Sequence, residues 1–175
     1  SWGATLALAY GQAHTDRVEA MILRALFLGT KKEIEWAFFD APLKFRPELI
    51  YRLNDFLNNK TLINPIFALG KMLENKNEKI RILGADLWLA YESNLSTIQF
   101  DYNTFNEVLS NSGKKKKILP NTPFLEWHYI KNNFFLKPNQ LIKHKKKLSN
   151  IKISIIQSDY DLLCPPQTSF NFASG

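Results

Sequence analysis

The side chains able to do covalent or acid–base chemistry fall in three regions of this 175-residue chain. Ser1 stands two residues ahead of Gly3, at the head of an Ala- and Leu-rich run. Glu92 follows Trp88 and Tyr91, while Glu126 lies between Phe124 and Trp127. Asp159 and Asp161 precede Cys164, the one cysteine of the chain. A serine hydroxyl becomes a useful nucleophile when a base takes its proton and an acid orients that base. The imidazoles are His14, His128 and His144, and all of them precede Asp161. Cys164 has no base beside it in sequence, so it reads as a bystander thiol. Each acidic loop residue is either a catalytic acid or a turn former. Ser1 is either a nucleophile or an ordinary terminal serine. The aromatic neighbours of Glu92 and Glu126 argue against a solvated helix face for either one.

The elements that would carry these groups can be read from the apolar pattern. Residues 3–14 read as a buried helix with a closely packed face of small residues. Thr15-Asp16-Arg17 makes a turn, and the apolar residues of 18–27 suggest a buried strand with its exit. A small helix followed at once by a strand suggests a βαβ unit. From Thr30 to about Gln140 the spacing turns helical, as in Ile34, Ala37 and Phe38 or Ile80, Leu83, Leu87 and Tyr91, with prolines as punctuation. Ile151–Ile156 is β-branched with polar flanks and is the clearest strand. Pro165-Pro166 and residues 168–173 lead into a further helix. The organisation expected is an α/β core part over 1–29, a helical cap over 30–140 and a second core part over 141–175.

Composition narrows the possibilities. Apolar residues make up 45% and aromatics 13%, too many for a disordered chain. One cysteine excludes a disulfide framework within the chain and points to a reducing compartment. No run approaches the roughly 18 apolar residues of a membrane span, and no leader is visible. The net charge of +7 comes largely from Lys114–Lys117 and from Lys143, Lys145, Lys146 and Lys147. Lysine outweighs arginine and no nucleic-acid motif accompanies these runs, so they read as solvated loops rather than a phosphate-binding surface. The chain opens on Ser1 without a methionine and stops at Gly175, which makes a piece of a longer protein the expectation.

Five blocks carry a family resemblance. The string from Ser1-Trp2-Gly3 to Asp16-Arg17-Val18 resembles the nucleophile elbow and following helix of α/β-hydrolases, whose pattern is Gly-x-Ser-x-Gly. It is most similar to the prolyl aminopeptidases, also called proline iminopeptidases. Leu23-Arg24-Ala25-Leu26-Phe27 resembles that family's Leu-Arg-Gly-x-Phe. Trp88-Leu89-Ala90-Tyr91-Glu92 resembles its Trp-x-x-Trp-Glu, and Glu126-Trp127-His128-Tyr129 its Glu-x-His-Tyr. Ser158-Asp159-Tyr160-Asp161-Leu162-Leu163-Cys164-Pro165 resembles its Gly-Arg-Tyr-Asp-x-x-Cys-Pro. The blocks keep the family's order across nearly the whole chain.

The resemblance implies an α/β-hydrolase fragment with a few parallel strands and a large helical cap. It implies a cytoplasmic serine aminopeptidase that releases N-terminal proline from peptides, with neither metal nor organic cofactor and with no nucleic-acid or membrane partner. Ser1 matches the nucleophile, Asp161 the triad acid, and the Trp2 N–H one oxyanion donor. Glu92 and Glu126 match two carboxylates that bind the free amino terminus. Phe27 and Trp36 are expected to wall the proline ring, and Arg24 to assist a cap carboxylate. None of the three histidines has the position of the triad base, and the oxyanion loop would lie upstream. The fragment alone is therefore expected to be inactive. Ala25, Ala37-Phe38 and Ser158-Asp159 depart from the family's pattern and bear on the strictness of proline preference. The alternatives are another amide or ester hydrolase and, further off, a basic binding module.

Overall fold

The computed structural model describes residues 1–99, 102–110 and 121–174. The chain divides into two compact units, one of residues 1–34 with 133–175 and one of residues 35–132. The expected architecture is met. The described residues are largely helical and contain one small sheet of two parallel strands.

In the first unit, helix α1 (Trp2–Ala13) leads through a 3₁₀ turn at Thr15–Arg17 into strand β1 (Ala20–Arg24). Strand β2 (Lys152–Ile156) runs parallel beside it, in a register from Ala20 opposite Lys152 to Arg24 opposite Ile156. Met21 and Leu23 point into a core shared with Ala4 and Leu8 of α1, Leu26, Leu28, Leu141, Leu148, Ile151 and Phe172. Gly11 permits the close approach, because a Cβ there would lie 2.1 Å from Cε of Met21. The short helix α9 (Gln140–Lys143) and helix α10 (Pro166–Ser174) complete this unit. Between α9 and β2, Lys145–Leu148 form a 3₁₀ turn, in which the Lys145 ammonium sits 5.1 Å over the Phe172 ring.

The strand expected over 18–27 is shorter than its apolar run. Ala25 turns left-handed at φ 50°, and its N–H donates to the Ile156 carbonyl at 3.0 Å, which ends the ladder. Leu26 and Leu28 are buried without being strand residues. Apolar periodicity reports burial, and burial continues past the strand end here.

Short helix α2 (Lys31–Glu35) carries the chain past the division between the two units. Glu33 fixes its start by accepting from the N–H groups of Leu28 and Thr30, both at 2.9 Å, and from the Thr30 hydroxyl at 2.7 Å.

The regular elements described in the second unit are all helices. A π-helical turn (Trp36–Asp40) precedes α3 (Ala41–Phe45), α4 (Pro47–Phe56), α5 (Ile66–Leu73), α6 (Glu78–Leu95), α7 (Tyr102–Ser110) and α8 (Thr122–Lys131). Asn77 caps α6, its side-chain oxygen accepting from the Lys79 N–H at 3.0 Å. Leu49, Leu53, Leu69, Leu87, Trp88, Tyr91 and Phe105 are all fully buried. At Gly70 on α5 an added Cβ would meet the Trp127 ring at 2.4 Å, so glycine lets α8 lay its indole flat on α5. The Lys114–Lys117 run lies outside the described residues.

Candidate functional site

The second unit brings together two carboxylates from different helices. Glu92 sits one helical turn beyond Trp88 on α6, so both share a face. Glu126 lies in the second turn of α8. The Trp88 indole N–H donates to Oε2 of Glu126 at 2.6 Å, a short charge-assisted bond. Glu92 and Glu126 lie close enough for each to weigh on the other's ionisation. Burial and the facing Glu126 push Glu92 up to about 8. Burial also raises Glu126, while its bonds from Trp88 and Glu92 hold it back. Both carboxyls are thus held above the ordinary carboxylate range.

The surroundings are aromatic. Trp88 stands edge-on to Trp127 with centroids 6.5 Å apart and packs against Phe38 at 6.2 Å. Tyr91, wholly buried, donates its hydroxyl to the Phe38 carbonyl at 2.9 Å. That carbonyl belongs to the π-helical turn, where the wider winding disturbs the usual i to i−4 pattern. Trp36 opens the same turn, half-buried, with the Lys44 ammonium 5.3 Å above its ring. An ammonium entering here would meet two half-buried carboxyls among aromatic rings.

The first unit gathers Ser1 and Asp161. Ser1 is the exposed N-cap of α1, and its side chain makes no capping bond. Its nitrogen donates to the Ala25 carbonyl and, at 3.2 Å, to Sγ of Cys164. Trp2 is the first residue of α1, which places its N–H at the positive end of the helix. Asp161 sits half-buried in the loop after β2. Its Oδ1 accepts from the N–H groups of Leu163 at 3.1 Å and Cys164 at 2.9 Å, so the backbone orients the carboxylate. Asp159, its rival in sequence, is exposed. Burial raises the Cys164 thiol, and Asp161 and Glu33 add to the rise, so the sulfur stays protonated at neutral pH.

Phe27 is half-buried. The Thr5 hydroxyl donates to its carbonyl at 2.7 Å, and its ring meets the Phe134 ring edge-on at 5.0 Å. Phe134 went unflagged in the sequence. It also contacts Trp2, at 5.7 Å, and is the middle of three consecutive left-handed residues, Asn133, Phe134 and Phe135, with φ of 50°, 58° and 56°. Such a run is costly for β-substituted residues. The one sequence signal for it is the Asn132-Asn133 pair, since asparagine tolerates that region. Arg24 ends β1 and is exposed. His14 and His144 follow the ends of α1 and α9, His128 lies on α8, and all three are exposed.

No group of three or more His, Cys, Asp or Glu able to hold a metal occurs among the described residues. Among them, too, no helix is long and apolar enough to cross a membrane.

No protein-family model matches the chain. Curated relatives do. The proline iminopeptidase of Arabidopsis thaliana is 30% identical over 173 residues, which is 98% of this chain and 44% of that protein. The probable proline iminopeptidase of Leptolyngbya boryana is 30% identical over 94% of this chain and 50% of its own length. That of Neisseria gonorrhoeae is 28% identical over 99% of this chain and 54% of its own length. The chain spans about half the length of the curated relatives it matches. A sheet-poor, largely helical architecture and these matches make the chain a distant homologue of the proline iminopeptidases, related to a family of hydrolytic peptidases.

Proposed function

We propose that the protein to which these residues belong is a serine aminopeptidase that removes N-terminal proline from peptides. The observation that supports this most is the approach of half-buried Glu92 and Glu126 beside Trp88. An exopeptidase must tell a terminal ammonium from an internal amide, and paired acids in a water-poor aromatic setting do so.

In this reading the ammonium of the substrate proline is held by Glu92 and Glu126. Ser1 Oγ attacks the proline carbonyl and passes its proton to an imidazole, whose position none of the three histidines of this chain supplies. The Trp2 N–H steadies the developing oxyanion. The C–N bond then breaks, the shortened peptide leaves as an amine after taking the proton, and water hydrolyses the prolyl ester. Asp161 orients the imidazole. Phe27 and Trp36 wall the apolar ring and Arg24 assists a cap carboxylate. No metal or organic cofactor enters these steps. Residues 1–29 and 141–175 act as core parts and 30–140 as the cap. The 175 residues by themselves turn over no substrate.

Titration of the chain with L-prolinamide and with N-acetyl-L-prolinamide tests the reading. The free amine should bind at least tenfold more tightly, and Glu126→Gln should remove the difference. Equal binding of the two ligands defeats the proposal. Hydrolysis of proline-β-naphthylamide by this chain, abolished in Ser1→Ala, would defeat its inactivity.

A further inference from the structure

Gln157 follows the last residue of β2 and opens the loop that carries Asp161. Its half-buried amide spans that loop from side to side. Nε2 donates to the Ser158 carbonyl at 3.1 Å and to the Cys164 carbonyl at 2.9 Å. Oε1 accepts from the Ser169 hydroxyl at 2.5 Å. Ser169 is buried on α10, so the far end of the amide is fixed to a helix. Carbonyls only accept, which settles the orientation of the amide: turned over, its oxygen would face two others.

We propose that Gln157 is a positioning residue for the catalytic acid: with Ser169 it clamps the loop from Ser158 to Cys164, and so holds Asp161 where an imidazole must meet it. The proposal rests on the reading of Asp161 as the triad acid.

Local bonds shape this loop without tying it to the fold. The N–H groups that Asp161 accepts from belong to its near neighbours Leu163 and Cys164. Ser158 likewise accepts from the Tyr160 N–H on its hydroxyl at 3.3 Å and from the Asp161 N–H on its carbonyl at 3.5 Å. Pro165 and Pro166, where the loop ends, have no N–H to offer. The bond from Gln157 to the Cys164 carbonyl crosses seven residues and the bond from Ser169 crosses twelve. Together they join the start of the loop to its end and to α10. A triad acid orients the imidazole and stabilises it once protonated, so a loop free to drift loses rate rather than substrate affinity.

Amide hydrogen exchange of the 175-residue chain, followed by NMR, reads the clamp directly. Gln157→Met keeps an unbranched side chain and removes both donors and the acceptor. In it the Leu163 and Cys164 amides should exchange about tenfold faster, while those of α1 and β1 keep their rates. Ser169→Ala should act in the same direction. Both changes break one linkage, so the double variant should exchange no faster than Gln157→Met alone. In the whole protein to which these residues belong, Gln157→Met should lower kcat for proline-β-naphthylamide about tenfold and leave KM unchanged.

Unchanged exchange at Leu163 and Cys164 overturns the clamp, and so does an equal acceleration at every amide, which marks a general loss of stability. An unchanged kcat in an active whole protein overturns the positioning role and leaves the aminopeptidase reading standing. No turnover by the unaltered whole protein removes that reading and the assignment of Gln157 with it. Should Gln157→Met fail to fold, Ser169→Ala decides by the same two measurements.

Discussion

The Phe134 ring stands edge-on to the Phe27 ring, 5.0 Å between centroids, and does so from a backbone with φ of 58°. A left-handed phenylalanine is disfavoured, so the contact persists because the fold over-determines it. Trp2 and Gly29 both lie close to the ring; an added Cβ on Gly29 would lie 3.3 Å from it.

Two substitutions separate the ring's contribution from that of its backbone. Phe134→Ala should cost about 3 kcal/mol in denaturant unfolding, the usual price of emptying a buried aromatic position. Phe134→Gly should cost no more than Phe134→Ala, although it removes one further carbon, because glycine is at ease at this φ. A glycine variant clearly less stable than the alanine variant would show that the left-handed turn carries no strain.

Ala25 presents the complementary case. It occupies φ 50° immediately after β1 while its N–H holds the Ile156 carbonyl. Ala25→Gly keeps that bond and removes the Cβ conflict, against a greater loss of chain entropy on folding. The net gain expected is about 0.5 kcal/mol, read as a higher denaturant midpoint at unchanged slope. A lower midpoint would refute it.

Glu92 gives stability a pH dependence of definite sign. Its folded-state value of about 8 lies above that of the unfolded chain, close to the ordinary 4.5. Its contribution is complete below about pH 4.5 and is lost as pH rises through about 8, with a slope of up to about 1.4 kcal/mol per pH unit. Melting temperature should fall between pH 5 and 9 in the unaltered chain. It should fall less in Glu92→Gln, which stays neutral. Parallel curves for the two proteins would exclude Glu92 as the source.

Gly70 should tolerate no side chain. The carbon that alanine would add meets three atoms of the Trp127 ring at 2.4 to 2.5 Å, and a fused ring yields less easily than a flexible chain end. Gly70→Ala is expected to cost about 2 kcal/mol and to change tryptophan emission, since Trp127 must move next to Trp88. A variant with unchanged melting and unchanged emission would contradict the close packing of α5 and α8.

The legible parts of the fold were those governed by local pattern. Ile151–Ile156 reads as a strand because β-branched residues and polar flanks coincide, and β2 occupies Lys152–Ile156. The Ala- and Leu-rich opening reads as a helix and forms α1. The strand over 18–27 was overextended because burial outlasts the ladder at Ala25. The encounter of Glu92 with Glu126 has no local signature. Only the order of motif blocks suggested it, because helices distant in sequence make the contact. The bond from Tyr91 to Phe38 left no pattern, since it spans 53 residues, and the left-handed turn at Asn133–Phe135 left only the Asn132-Asn133 pair, since two phenylalanines there run against residue preference.

The parallel pairing of β1 with β2 has a topological consequence. Two parallel neighbours both finish at the same end of the sheet, so a chain leaving β1 must make a return journey before it can enter β2. Here that journey holds every helix of residues 35–132. Its route is set only by where it departs and where it comes back. The segment can lengthen, shorten or drift in sequence while the five paired positions from Ala20 to Arg24 keep their partners. Selection on what the helices recognise is thereby uncoupled from selection on how the strands align.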